Sequence, residues 1–268
     1  MLKSEIFKYY NKTTEEFEAI YAYLRSNFTT DYVEDLAKLR GYFDEPQKNL
    51  IREMELGTCM IEDTSDLGEL RRELGLVSDK DNFLLDNRYI IPVDDIQGNL
   101  VALIGYFPDY KKYITTPSPF FSKECMFFNF RQAYELAWSK FDGFVIVVEG
   151  IFDCLSLRAI GLPAMATMGS SVSGMKGELL KLFKKVVGIP DDDKTGRRAL
   201  NRYSKYGWQV PSNTTLLKFV GGNITLSNGE IVHCKDMDNF VSWYDSNDVR
   251  EILLSYKDSR EDIETLSL

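Results

Sequence analysis

Five consecutive apolar residues, Phe144-Val145-Ile146-Val147-Val148, run straight into Glu149-Gly150. A run so short and unbroken has no polar face. It reads as a strand covered on both sides, as in parallel sheets. The pattern then alternates. Residues 152–160 read as a helix ending at Gly161, 164–167 as a short strand, 175–184 as a helix and 185–189 as a strand. Residues 195–206 read as a helix, 215–220 as a strand and 239–256 as largely helical. Strands separated by helices predict an α/β domain with a parallel-rich sheet flanked by helices.

The preceding chain has a different rhythm. Phe17, Ile20, Tyr21 and Leu24 share one face of a predicted helix over 13–25, with Thr13 and Glu16 spaced as a capping box. A second helix fits 31–40, with Val33 and Leu36 inward and Gly41 as its stop. Pro46 is expected to break the chain, and 47–56 and 65–74 are further helical segments. Residues 89–93 and 100–106 flank turn residues and predict a hairpin. Tyr113-Ile114 and Met126–Phe128 read as short strands on either side of a Pro117-Ser118-Pro119 loop, and 131–139 as a helix. The expected organisation is a small α+β subdomain over 1–143, an α/β subdomain over 144–256 and a loose acidic tail over 257–268.

The chain has no stretch of about 18 apolar residues that would span a membrane. Its first residues lack the apolar run of a secretion signal, so a cytoplasmic location is expected. Cys59, Cys125, Cys154 and Cys234 form no Cys-x-x-Cys pair, and His233 is the single histidine. Zinc is therefore not expected, and the cysteines read as reduced core residues. The overall charge of -9 argues against nucleic acid as a partner until it is mapped along the chain. Segments 1–90, 91–143, 144–233 and 234–268 carry -7, -1, +4 and -5. The one positive segment also holds Glu149, Asp153, Asp191 and Asp193, which suits a site taking metal ions and then phosphates.

The acids follow the strands. Glu149 comes after the first, Asp191 and Asp193 after the strand 185–189, and Asp236 and Asp238 after the strand 215–220 and an intervening segment. Ligands of open α/β sheets bind beyond the carboxyl ends of the strands, so these groups are placed to meet in one crevice. Residues i and i+2 of an extended segment point the same way, which lets each Asp-x-Asp face one cation. Asp153, four residues after Glu149, joins them if a helix starts at once. Oxygen-only donors suit Mg²⁺ or Mn²⁺.

Val148-Glu149-Gly150-Ile151-Phe152-Asp153, Asp191-Asp192-Asp193-Lys194-Thr195-Gly196 and Lys235-Asp236-Met237-Asp238 together resemble the TOPRIM fold of topoisomerases, primases and some nucleases. Gly169-Ser170-Ser171 resembles the loop after that fold's second strand. The DnaG-type primase core is the nearer likeness. Its Asp-Gly-Asp-Lys/Arg-x-Gly resembles 191–196, with Asp192 in place of glycine, and its Lys-Asp-Pro-Asp resembles 235–238, with Met237 in place of proline. The stretch from Arg88 to Gly98, Lys112–Pro117 and Phe121-Ser122-Lys123 resemble the upstream strand and basic segments of that core.

The resemblance implies RNA primer synthesis on single-stranded DNA by metal-dependent nucleotidyl transfer. Glu149, Asp191 and Asp193 would be catalytic, and Asp153, Asp236 and Asp238 would join them as ligands of Mg²⁺ or Mn²⁺. Arg88, Lys112, Lys123 and Lys194 would hold nucleotide or template. The implied partners are the template, ribonucleoside triphosphates and a replicative helicase. The expected setting is phage or mobile-element replication by a core without zinc-binding and helicase-binding domains. Residues 221–233, with a turn at Asn228-Gly229, look like an inserted hairpin. A TOPRIM nuclease and a non-catalytic nucleic-acid-binding module are the alternatives.

Overall fold

In the computed structural model the structure describes residues 14–258, except 43, 60–68, 79, 111, 118–120, 170, 171, 173, 194–211, 220, 221, 226–228 and 230, and also residues 263–266. Thr13, Lys194, the helix expected over 195–206, most of the Pro117-Ser118-Pro119 loop and most of the Gly169-Ser170-Ser171 turn lie outside the described residues. The chain divides into two compact units, Met1–Ser122 and Lys123–Leu268.

The first unit opens with helix α1 (Thr14–Ser26). Phe17, Ile20 and Leu24 on its inner face are fully buried, as their spacing requires. They join Leu74, Leu85, Ile90, Leu100 and Leu103 in one apolar core. Helix α2 (Tyr32–Arg40) ends at Gly41, whose φ of 74° places it in the left-handed region where glycine is at ease. Helix α3 (Glu45–Glu53) corrects one expectation, because Pro46 sits inside its first turn. The N–H that proline lacks has no intrahelical partner there, so the helix loses nothing. Of the helix expected over 65–74, the described part is α4 (Leu70–Glu73).

Strand β1 (Thr58–Cys59) pairs with β2 (Arg88–Asp94), and β2 with β3 (Leu100–Phe107), Ile91 facing Ile104 in the expected hairpin. Strand β4 (Lys112–Thr115) completes an antiparallel sheet ordered β1-β2-β3-β4.

The second unit begins earlier than the expected 143/144 boundary. Helix α5 (Phe130–Lys140) packs on β5 (Phe144–Val148) and β6 (Ala164–Ala166). Just before α5, Phe128 makes a single antiparallel bridge to Ala166, and Asn129 donates its side-chain N–H to the Ala164 carbonyl at 2.8 Å. The strand expected at 126–128 is reduced to that bridge.

From β5 the chain runs through α6 (Ile151–Ala159), β6, α7 (Gly174–Leu180), β7 (Lys185–Ile189) and β8 (Thr214–Phe219). A hairpin follows, β9 (Asn223–Thr225) with β10 (Ile231–His233), as expected for the inserted segment. The largely helical stretch expected over 239–256 is two helices, α8 (Met237–Trp243) and α9 (Ser246–Ser255). Tyr244 is extended, and Asp245 caps α9 by accepting the N–H groups of Asn247 and Asp248. The acidic tail contains a strand. Residues Ile263–Leu266 form β11, paired parallel with β8, whose open edge it satisfies.

The sheet is ordered β11-β8-β7-β5-β6, and every pairing is parallel. From β5 the chain goes to β6 on one side and then crosses to β7 on the other. The topological switch point therefore lies between the ends of β5 and β7. Among the described residues no helix is long and apolar enough to cross a membrane. Cys154 and Cys234 are buried and Cys125 half-buried, and none of the three is in a disulfide.

Candidate metal centre

All six predicted acids belong to the second unit. Glu149 stands directly beyond β5, whose five residues are buried, and α6 starts two residues later. A Cβ at position 150 would collide with the Asp153 carboxylate, so Gly150 makes the room that Asp153 occupies one turn into the helix. That collision is the physical content of the Glu-Gly-x-x-Asp spacing.

Asp153 and Asp238 are buried. The backbone N–H of Asp238 donates to Asp153 Oδ1 at 2.8 Å, and the Ser156 hydroxyl donates to Asp238 Oδ1. Asp153 and Ser156 share one face of α6, so the two bonds clamp the N-terminus of α8 against it. Asp236 caps α8 by accepting the Asn239 N–H at 2.9 Å, and Lys235 Nζ lies 3.3 Å from its other oxygen. Three of the six acids thus hold helix ends as well as facing the cluster, a duty the sequence reading did not assign.

The acids act on one another. Burial raises Glu149 to about 7, and the charges of Asp193 and Asp153 add to it against a hydrogen bond from the Asp191 backbone. Burial also raises Asp191 to about 7, with Glu149, Asp236 and Asp193 pushing the same way and Lys235 opposing. Asp153 is held well above the usual carboxylate range by burial and then by Asp236, Asp191 and Asp238. Burial alone would lower Lys235, but the carboxylates of Asp236, Asp191 and Asp153 outweigh it and raise the ammonium. Groups from β5, α6, the loop after β7 and the start of α8 therefore converge at the switch point.

Among the described residues no three His, Cys, Asp or Glu side chains are grouped so as to hold a metal ion. The chemistry of the cluster nevertheless fits a hard cation. Its donors are oxygens, their charges repel, and Glu149 Oε1 is buried with no hydrogen-bond partner. A cation would satisfy that atom and relieve the repulsion.

The predicted basic residues are placed differently. Arg88 and Lys112 lie in the first unit. The Arg88 guanidinium stands 5.3 Å from the Phe107 ring centre, and its Nε donates to the Leu84 carbonyl. Lys112 is exposed, its ammonium 5.8 Å from the Tyr110 ring centre. Lys123 is exposed at the start of the second unit. Lys176 was not singled out from the sequence. It is almost fully buried, donating to the Thr167 carbonyl and lying 5.4 Å from the Phe127 ring centre, and burial lowers it to about 8. A lysine in a helical stretch gives no sign of that burial.

Residues 146–241 match the Toprim-like family. The DNA primase of Thermotoga maritima is 32% identical over 207 residues, which is 74% of this chain and 35% of that protein. The DNA primase of Synechococcus elongatus is 28% identical over 214 residues, 74% of this chain and 29% of that one. The chain spans about a third of the length of these curated relatives. The zinc-binding and RNA polymerase domains of the Aquifex aeolicus primase superpose with a TM-score of 0.69 at 23% identity, covering 95% of this chain and 63% of that one. The RNA polymerase domain of Mycobacterium tuberculosis primase DnaG gives 0.68 at 18% identity, covering 90% and 82%. The fold is that of a DnaG primase catalytic core.

Proposed function

We propose that this chain, a Toprim-like domain within the fold of a DnaG primase core, makes RNA primers on single-stranded DNA by metal-dependent nucleotidyl transfer. The observation that carries the reading is the convergence of Glu149, Asp153, Asp191, Asp193, Asp236 and Asp238 at the switch point of a parallel sheet. In support, a solved DnaG catalytic domain of the same fold (TM-score 0.66, 17% identity) is one bound to single-stranded DNA.

Bound Mg²⁺ or Mn²⁺ would neutralise the triphosphate and acidify the attacking 3′-hydroxyl. Glu149, Asp191 and Asp193 hold the cation in this reading, with Asp236 beside them. Asp153 and Asp238 set the helix ends that carry the others. Glu149, with its unpartnered oxygen, is either a ligand or the acceptor of the hydroxyl proton. Arg88, Lys112, Lys123 and Lys194 are the proposed phosphate and template contacts. The proposed partners are the template, ribonucleoside triphosphates and a replicative helicase, and the proposed location is the cytoplasm.

The test is to incubate the protein with single-stranded DNA, ribonucleotides and either cation. New RNA is expected, and Asp191→Ala should lower its yield by more than about 100-fold. Shortened DNA would assign the same acids to hydrolysis instead. DNA bound but unchanged, with no RNA made, would leave a binding module.

A further inference from the structure

Asp191 and Asp193 both act on Glu149, yet the residue between them is turned elsewhere. Asp192 Oδ2 lies 3.5 Å from His233 Nε2, at the end of the β9–β10 hairpin. Asp192 and Asp193 lie in a bend just beyond β7, so whatever fixes Asp192 fixes the turn of backbone from which its two neighbours project. The hairpin is built to do this. The Asp192 N–H donates to the Lys235 carbonyl at 2.7 Å, fixing the acidic loop to the chain that leaves β10. The Cys234 N–H donates to the Gly222 carbonyl at 2.9 Å and closes the base of the hairpin. His233 is braced as well, with Nδ1 3.3 Å from Asn223 Oδ1 on the facing strand. One residue past Lys235, Asp236 caps α8.

We propose that the β9–β10 hairpin is a strap across the acidic loop and that His233 is a positioning residue. By holding Asp192 it keeps Asp191 and Asp193 aimed at Glu149. This rests on the reading of the acids as a divalent-cation site. An isolated contact by a half-exposed histidine would be worth little. Here it closes a frame already made by two backbone hydrogen bonds.

The experiment is a double-mutant cycle read by calorimetric Mn²⁺ titration of the whole protein and its His233→Ala, Asp192→Gly and doubly substituted variants. Asp192→Gly removes a nearby charge as well as the contact, so the cycle is needed to separate the two effects. Each single change should weaken Mn²⁺ binding by roughly 3–10-fold. The double variant should be no weaker than the weaker single, and His233→Gln, which keeps a donor, should recover most of the affinity. Additive losses, or no loss with His233→Ala, would overturn the strap. A second arm needs no metal. Protection of the amide at position 192 from hydrogen exchange, taken relative to each residue's intrinsic exchange rate, should fall in His233→Ala and fall no further in the double variant. If the unaltered protein takes up no Mn²⁺, the cation reading fails on its own, and the exchange arm still decides whether the strap exists.

Discussion

Glu149 and Asp191 keep their protons to about pH 7, whereas free side chains of these types lose them near 4.5 and 3.8. Between those limits the folded, metal-free protein binds more protons than the unfolded chain. Stability is therefore fully present below about pH 4 and declines as pH rises through 7. The sum at stake is on the order of 3–5 kcal/mol, because each pKa unit is worth about 1.4 kcal/mol and the two coupled groups do not add in full. The thermal midpoint of the metal-free protein is expected to fall between pH 5 and pH 8. Glu149→Gln should flatten the fall, and added Mg²⁺ should raise the midpoint more at pH 8 than at pH 5. A flat profile in the unaltered protein would mean that these acids do not crowd one another. The sequence offers five of these acids as candidates because each follows a strand, and Asp153 because a helix starts directly after Glu149. Their second duties are not legible there. The bond from the Asp238 N–H to Asp153 joins positions 85 residues apart, and such a contact leaves no local pattern.

At the scale of elements, the tightest fit is the turn from β5 into α6. Gly150 has φ −93° and ψ 151°, which any residue adopts freely. A Gly150→Ala change therefore costs nothing in backbone conformation, and its effect must come from contact with the Asp153 carboxylate. That group is pinned by α8 and has little freedom to move. The change should destabilise the protein by about 1–3 kcal/mol in urea unfolding, and Mn²⁺ affinity should fall with it. An unchanged midpoint would show that Asp153 can swing aside. The buried strands were legible, β5 and β7 to the residue, because a continuous apolar run of that length has few other readings. The break at Tyr244-Asp245 was not, since apolar spacing continues across it and only the cap on α9 reveals it.

For the molecule as a whole, where the second unit starts has a physical consequence. Phe128 and Asn129 bond to β6, the outer strand of the parallel sheet. A fragment of residues 123–268 should be soluble and unfold cooperatively. One of 144–268 should expose the free edge of β6 and self-associate. Size-exclusion chromatography separates the two outcomes, and identical behaviour would return the boundary to 143. The sequence located the change from antiparallel to parallel architecture but not this overlap. Phe128 and Asn129 adjoin the antiparallel part in sequence while bonding to the parallel part in space, and hydropathy does not report that. Strand β11 teaches the same lesson, since acidic composition hides a pairing that depends on the backbone edge of β8. That pairing also orders events during translation. The ribosome delivers every acid of the cluster, through Asp238, before it delivers Ile263–Leu266. A nascent chain thus holds all six acids while the edge of β8 is still uncovered and open to wrong partners.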